Sequence, residues 1–164
     1  MKLIKLTALS LSLFAVVFSN ISCERMTEEN KIQLFSKSGI VLSFAQEPPA
    51  TPQTPSSALG TMDVIYNRET RILTYTVKWS GLTANPILMH IHGLAPTGYP
   101  AGVVQTILSS VNPTLFPATG SYSGSLLVDG TVVKEENLLN GLYYMNIHTP
   151  LNPVGEIRGQ IRFQ

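Results

Sequence analysis

The nine residues Arg71–Trp79, RILTYTVKW, alternate without a break: Leu73, Tyr75, Val77 and Trp79 point to one side of an extended chain, Thr74, Thr76 and Lys78 to the other. Period two, carried by β-branched and aromatic residues, marks a half-buried strand with one face in a core. The pattern continues outward. Upstream, TMDVIYN leads into the turn-like Asn67–Thr70; downstream come PILMHIHG, GVVQTIL, GSYSGSLLV, GLYYMNIH and GEIRGQIRF, each set off by Gly, Pro, Asn or Asp. Only Val133–Asn140, VKEENLLN, reads as one or two helical turns, with acids near its start and Gly141 placed to end it. Short strands at close intervals predict an all-β domain, an antiparallel sandwich or barrel.

The ends of the sequence define what surrounds that domain. Residues 1–22 carry Lys2 and Lys5, an apolar run from Leu6 to Phe18 and small residues after it, the pattern of a signal peptide. The run has 13 residues, where a membrane span needs about 20. The single cysteine, Cys23, directly follows Ser22, as in a bacterial lipoprotein signal, although Asn20 stands where such signals usually have leucine. Cys23 is therefore the expected lipidation site and the membrane anchor, and one thiol allows no intrachain disulfide. Residues 23–38 are expected to form a polar tether, with Ile32–Phe35 able to join the first strand, and residues 39–164 the domain. Gln46–Gly60, QEPPATPQTPSSALG, is too rich in proline for a central strand and is expected to be an extended loop.

Charge and motifs exclude several functions. Without Lys2 and Lys5, 9 of the 11 Lys and Arg residues face 10 Asp and Glu, a formal charge of −1. That balance, with no basic cluster, does not fit a nucleic-acid partner. Neither a Gly-x-Ser-x-Gly elbow nor a Walker loop occurs, and Asp63, Asp129 and Glu156 adjoin no second acid. An enzyme is not expected.

The chemistry concentrates in the histidines, of which there are three. In Met89–Gly93, MHIHG, strand alternation sends His90 and His92 to the same face, a spacing that suits two ligands of one ion. In Tyr143–His148, YYMNIH, the same logic puts Tyr144, Asn146 and His148 on one face. If these strands are neighbours, three imidazoles converge, a donor set for copper or zinc. Asn146, Glu156 and Arg158 are candidates to orient them, Glu156 by supplying an oxygen or fixing a tautomer. Glu156 and Arg158, two apart on one face, are also within reach of an ion pair. The competing expectation is that the histidines only bond a neighbouring loop.

The segments FAQEPPATP, LTYTVKWSGLT, MHIHGLAPTG with GVVQTIL, and above all GLYYMNIHTPLNPVGEIRGQI resemble the CHRD domain, first recognised in chordin and present in many exported bacterial proteins. The resemblance runs from Ile40 to Gln164. Asn146, His148, Thr149, Pro153, Gly155, Glu156, Arg158, Gly159 and Gln160 match its terminal pattern in order, while Leu94 replaces the usual proline after His-x-His-Gly. The resemblance implies an immunoglobulin-like or superoxide dismutase-like sandwich whose molecular role is largely undefined. Copper-zinc superoxide dismutase also carries a strand His-x-His, yet it needs a fourth copper histidine and a separate zinc site. The function expected is thus a non-enzymatic binding or structural module, lipid-anchored to the bacterial cell envelope, at the outer membrane or surface. One alternative is a copper- or zinc-binding protein using His90, His92 and His148. Another is an adhesion or matrix module that presents Tyr99 and Tyr122 to a protein or glycan partner.

Overall fold

The computed structural model describes residues 33–49, 53–109 and 116–164. The signal peptide, Cys23 and most of the tether lie outside the described residues. Eight strands are present among them: β1 (Leu34–Ser43), β2 (Leu59–Asn67), β3 (Ile72–Ser80), β4 (Leu88–Gly93), β5 (Val103–Leu108), β6 (Gly120–Leu127), β7 (Tyr143–His148) and β8 (Ile157–Gln160). They form one sheet in the order β5-β4-β7-β8-β1-β2-β3-β6, and every recorded pairing is antiparallel. Strands β8 and β1 pair through Ser43 and Arg158 alone. There the sheet folds over, so that β5-β4-β7-β8 faces β1-β2-β3-β6 as an all-β sandwich. At the opposite side Gln105 of β5 nearly closes a barrel: it accepts a hydrogen bond from Tyr75 Oη at 2.9 Å and donates one to the Ser125 carbonyl at 2.7 Å.

Strand β3 buries Leu73, Tyr75, Val77 and Trp79, the four residues its alternation assigned to the core. Its neighbour β2 buries Met62, Val64 and Tyr66, and the turn between them closes on Asn67, whose Oδ1 accepts from the backbone N–H groups of Glu69 and Thr70. The facing half contributes Met89, Ile91, Met145, Ile147, Ile157 and Ile161, all fully buried. Each such side chain stabilises the fold by about 1.5–3 kcal/mol relative to exposure. The helix predicted near residues 133–140 is α1 (Glu135–Leu139), with Gly141 at φ +70° ending it.

Strand β1 begins at Leu34, inside the stretch expected to be tether up to Ser38. Ser36 and Lys37 are exposed yet pair with Ile65 and Val64, because backbone hydrogen bonding extends an edge even where side chains are polar. Among the described residues of proline-rich Gln46–Gly60, no strand precedes Leu59, and Gln46 closes a short 3-10 turn at Phe44–Gln46.

One half of the sandwich departs from the usual pattern of one dry and one wet face. Every residue of β7 and β8 is buried. The outer face of β4, β7 and β8 is roofed by the segments after β4 and β7. Their carbonyls, at Pro96, Tyr99, Ala101 and Pro153, turn inward onto its polar side chains.

Candidate metal centre

Strands β4, β7 and β8 lie side by side, and their register sets a grid on the roofed face. His92 stands beside Tyr144 and then Gln160; His90 stands beside Asn146 and then Arg158; Leu88 stands beside His148. His90, His92 and His148 therefore meet around Asn146, although 56 positions separate His92 from His148 in sequence. Ring centroids are 5.4 Å apart for His90 and His92, 5.1 Å for His90 and His148 and 6.3 Å for His92 and His148. One nitrogen from each ring lies within 4.8 Å of the other two. Ligands at 2.0–2.1 Å from a tetrahedral ion are about 3.4 Å from one another. The widest pair must close by at most about 1.4 Å to reach that spacing.

The backbone fixes two of the rings. His92 Nδ1 faces the Ala101 carbonyl at 3.0 Å, and His148 Nδ1 faces the Pro153 carbonyl at 3.0 Å. A carbonyl oxygen only accepts, so both Nδ1 atoms carry the proton. In the neutral ring that leaves Nε2 with a lone pair directed inward, the arrangement found in metal-bound histidines. Both Nε2 atoms face the same atom, Asn146 Oδ1, at 3.0 Å and 2.9 Å. His90 is held differently: its Nδ1 is buried and has no hydrogen-bond partner.

Burial keeps the rings neutral. Desolvation pushes the His148 pKa down to about 4, with the neighbouring histidines adding to the shift against the Pro153 bond. Desolvation also lowers the pKa of His90 and of His92. His90, His92 and His148 are 9%, 8% and 6% exposed as residues, and Asn146 is 2% exposed.

The surrounding side chains have roles that differ from those expected. Among the described residues, Glu156 makes no hydrogen bond to a histidine. Its carboxylate accepts from Ser56 Oγ, the Thr83 N–H, Thr83 Oγ1 and Thr149 Oγ1, and these bonds hold its pKa down against burial. It ties three segments together, while the tautomers are set by the carbonyls of Ala101 and Pro153. Nor does Glu156 pair with Arg158. Both are fully buried, and the guanidinium donates to the carbonyls of Tyr99 and Pro96 and to Gln160 Oε1. Side chains at i and i+2 share a face, but here Arg158 finds its partners in the roof and Glu156 in Ser56, Thr83 and Thr149. Arg158 also lies over Tyr144, 3.3 Å from the ring centroid, and Tyr144 in turn stacks on His92.

Glu47 is the residue that sequence reasoning did not single out. It sits just after β1 in the proline-rich stretch, 7% exposed, and burial pushes its pKa up to about 7, with Arg158 and a hydrogen bond from Asn146 opposing the shift. Its place depends on Gly155, at φ +132°, where any Cβ would collide with the Glu47 carboxylate. No periodicity marks such a residue; its only sign is an acid inside an otherwise uncharged loop. Of the aromatic candidates, Tyr122 packs against Tyr75 and Phe116, and Tyr99 is 65% exposed.

Fold and site together define an antiparallel β-sandwich that gathers three neutral imidazoles under the roof of one half-sheet. The family model of the CHRD domain matches residues 39–161, three quarters of the chain. The chain belongs to the CHRD domain family. Neither a curated protein nor a solved structure gave a match.

Proposed function

We propose that this protein is a non-enzymatic module that holds a transition-metal ion, copper or zinc, through His90, His92 and His148, and that it does so at the bacterial cell envelope. The observation that carries the reading is the convergence of three imidazole nitrogens within 4.8 Å, two of them oriented by backbone carbonyls. Imidazole nitrogen suits both ions, and the near-complete burial of the trio favours retention over turnover. Location at the envelope rests on the sequence: a leader ending at Ser22 and a lone Cys23 suited to a lipid. An adhesive role for Tyr122 has less support, since its ring is engaged with Tyr75 and Phe116.

The test is metal content by mass spectrometry on protein purified without a histidine tag, beside the His90→Ala, His92→Ala double variant. Near-stoichiometric copper or zinc, lost in the variant, is expected. Absence of metal from the wild type after incubation with both ions would leave the histidines as bonding partners of the loops. For the anchor, Cys23→Ser is expected to abolish fatty-acid labelling, and retained label would remove Cys23 from the account.

A further inference from the structure

One end of the β1-β2-β3-β6 half-sheet carries an apolar row on its outer face. Cross-strand register sets Leu34, Asn67, Ile72 and Leu127 side by side, and directly opposed residues share a face. Their chain neighbours Phe35, Tyr66, Leu73 and Leu126 belong to the core, so the row points outward. Leu34 is 60% and Leu127 55% exposed, and Ile65, two residues back along β2 on the same side, is 50% exposed. The turn beyond β6, tied to the Arg71 carbonyl by the Val128 N–H, adds Val132, 58% exposed. Beyond Ile65 the next row is polar, with Asp63 beside Thr76 and Ser123. The other exposed aliphatics of this face, Val41 and Leu59, lie past it toward the opposite end.

Where the chain enters the sandwich decides what covers this row. Leu34 opens β1, and Cys23 stands 11 positions before it. Eleven residues reach about 40 Å at most, so a lipid on Cys23 holds this end of the sandwich near the surface that takes up the acyl chains. A tethered contact forms at high effective concentration, and a few half-exposed aliphatic side chains then seat a domain that they would not hold unaided. Taking Cys23 as lipidated, as proposed above, we propose that Leu34, Ile65, Ile72, Leu127 and Val132 rest on the lipid surface that holds the anchor. Charge does not drive the contact, because exposed Arg71 and Lys134 at this end are offset by Glu69, Asp129 and Glu136. The opposite end of β1 is Ser43, whose register runs through Arg158 and Asn146 to His90. The imidazoles are thus carried on the end turned away from the lipid, about 30 Å along β1.

The experiment is fluorescence quenching on the mature lipidated protein in vesicles of phosphatidylethanolamine and phosphatidylglycerol. An environment-sensitive dye is attached at Leu127→Cys or, at the far end of the same face, at Leu59→Cys. Cys23 is the one cysteine of the chain, so once it is lipidated the introduced thiol alone takes the dye. The label at 127 is expected to be quenched by acyl-brominated lipid and shielded from aqueous iodide, and the label at 59 is expected to behave in the reverse way. In the L127C background, Leu34→Ser with Val132→Ser is expected to abolish quenching by the lipid, and unchanged quenching would remove these two side chains from the contact. Exchange of phosphatidylglycerol for phosphatidylcholine is expected to change nothing; loss of shielding would make the contact one of charge and overturn the apolar assignment. Equal quenching at 127 and 59 on lipidated protein would overturn the docking face and leave the anchor standing. Shielding from iodide without quenching by lipid would put a second copy of the chain or the tether on the row in place of the lipid. Mass spectrometry of the mature chain separates the two readings: Cys23 without diacylglycerol would overturn the anchor, and this inference with it.

Discussion

The imidazole of His92 lies flat against the phenol ring of Tyr144, with centroids 4.8 Å apart and planes within 6° of parallel. Ala101 clips both rings, its N–H donating to Tyr144 Oη at 3.1 Å and its carbonyl accepting from His92 Nδ1. Orientation of His92 thus depends on a ring stack and on a loop, and the two contributions separate by mutation. Tyr144→Phe keeps the stack and loses one hydrogen bond, so it is expected to cost about 1 kcal/mol of stability. Tyr144→Leu also removes the aromatic partner of both His92 and Arg158 and is expected to cost about 2 kcal/mol more. Urea denaturation of the two variants checks this; equal losses would show that the stack contributes nothing.

Glu156 and the histidines occupy neighbouring but separate hydrogen-bond systems, which gives a clean prediction. Glu156→Gln replaces one carboxylate oxygen by an NH2 that faces hydroxyl and N–H donors, so the variant is expected to be destabilised by about 2–3 kcal/mol. Its metal content, measured under conditions where it is folded, is expected to equal the wild type. Loss of metal from folded protein would return Glu156 to the site.

Much of this could be read before the structure, for a physical reason. Strand alternation is local, so RILTYTVKW revealed its own buried face, and MHIHG and YYMNIH each revealed which side chains share a side. Pairing of β4 with β7 was the step that local pattern does not contain, and it is what brings His148 to His90. The roof was illegible for a related reason. Ala101 and Pro153 act through backbone carbonyls, which no side-chain pattern announces, and Glu47 reaches Asn146 across 99 positions of sequence. The supposed Glu156 to Arg158 pair failed because sharing a face says nothing about the partners that a covering loop brings.

Glu47 and His148 pull the acid stability of the metal-free protein in opposite directions. The Glu47 pKa rises from 4.5 to about 7 on folding, so the native state holds the extra proton between those values. Its contribution is complete below pH 4.5 and lost as pH rises through 7. The His148 pKa falls from 6.5 to about 4, so its contribution is present above 6.5 and lost as pH falls toward 4. Each shift corresponds to at most about 3 kcal/mol, and over the shared window the slopes offset. Glu47→Gln removes one of them. His90 and His92, whose pKa values burial also lowers, add to the His148 slope, so in EDTA the urea midpoint is expected to climb between pH 4.5 and 6.5 in both proteins and more steeply in E47Q; parallel curves would show that the buried acid does not titrate there.

Gly159 marks a close approach of β8 to β1, where the sheet folds over. A Cβ at this position would lie 2.8 Å from the Leu42 side chain and 3.0 Å from the Val41 carbonyl, so β8 and β1 approach only because position 159 has no side chain. Gly159→Ala is expected to destabilise the fold by about 1–3 kcal/mol through overpacking. Leu42 is fully buried, and Leu42→Ala alone is expected to cost about 2–5 kcal/mol by opening a cavity beside the glycine. Combined, the added methyl enters the space that the leucine vacates, so the double variant is expected to be more stable than the sum of the two losses implies. Since two contacting residues are exchanged, the coupling is measurable by a double-mutant cycle in urea. Strict additivity would mean that the Val41 carbonyl, which no side-chain change relieves, sets the limit at this junction.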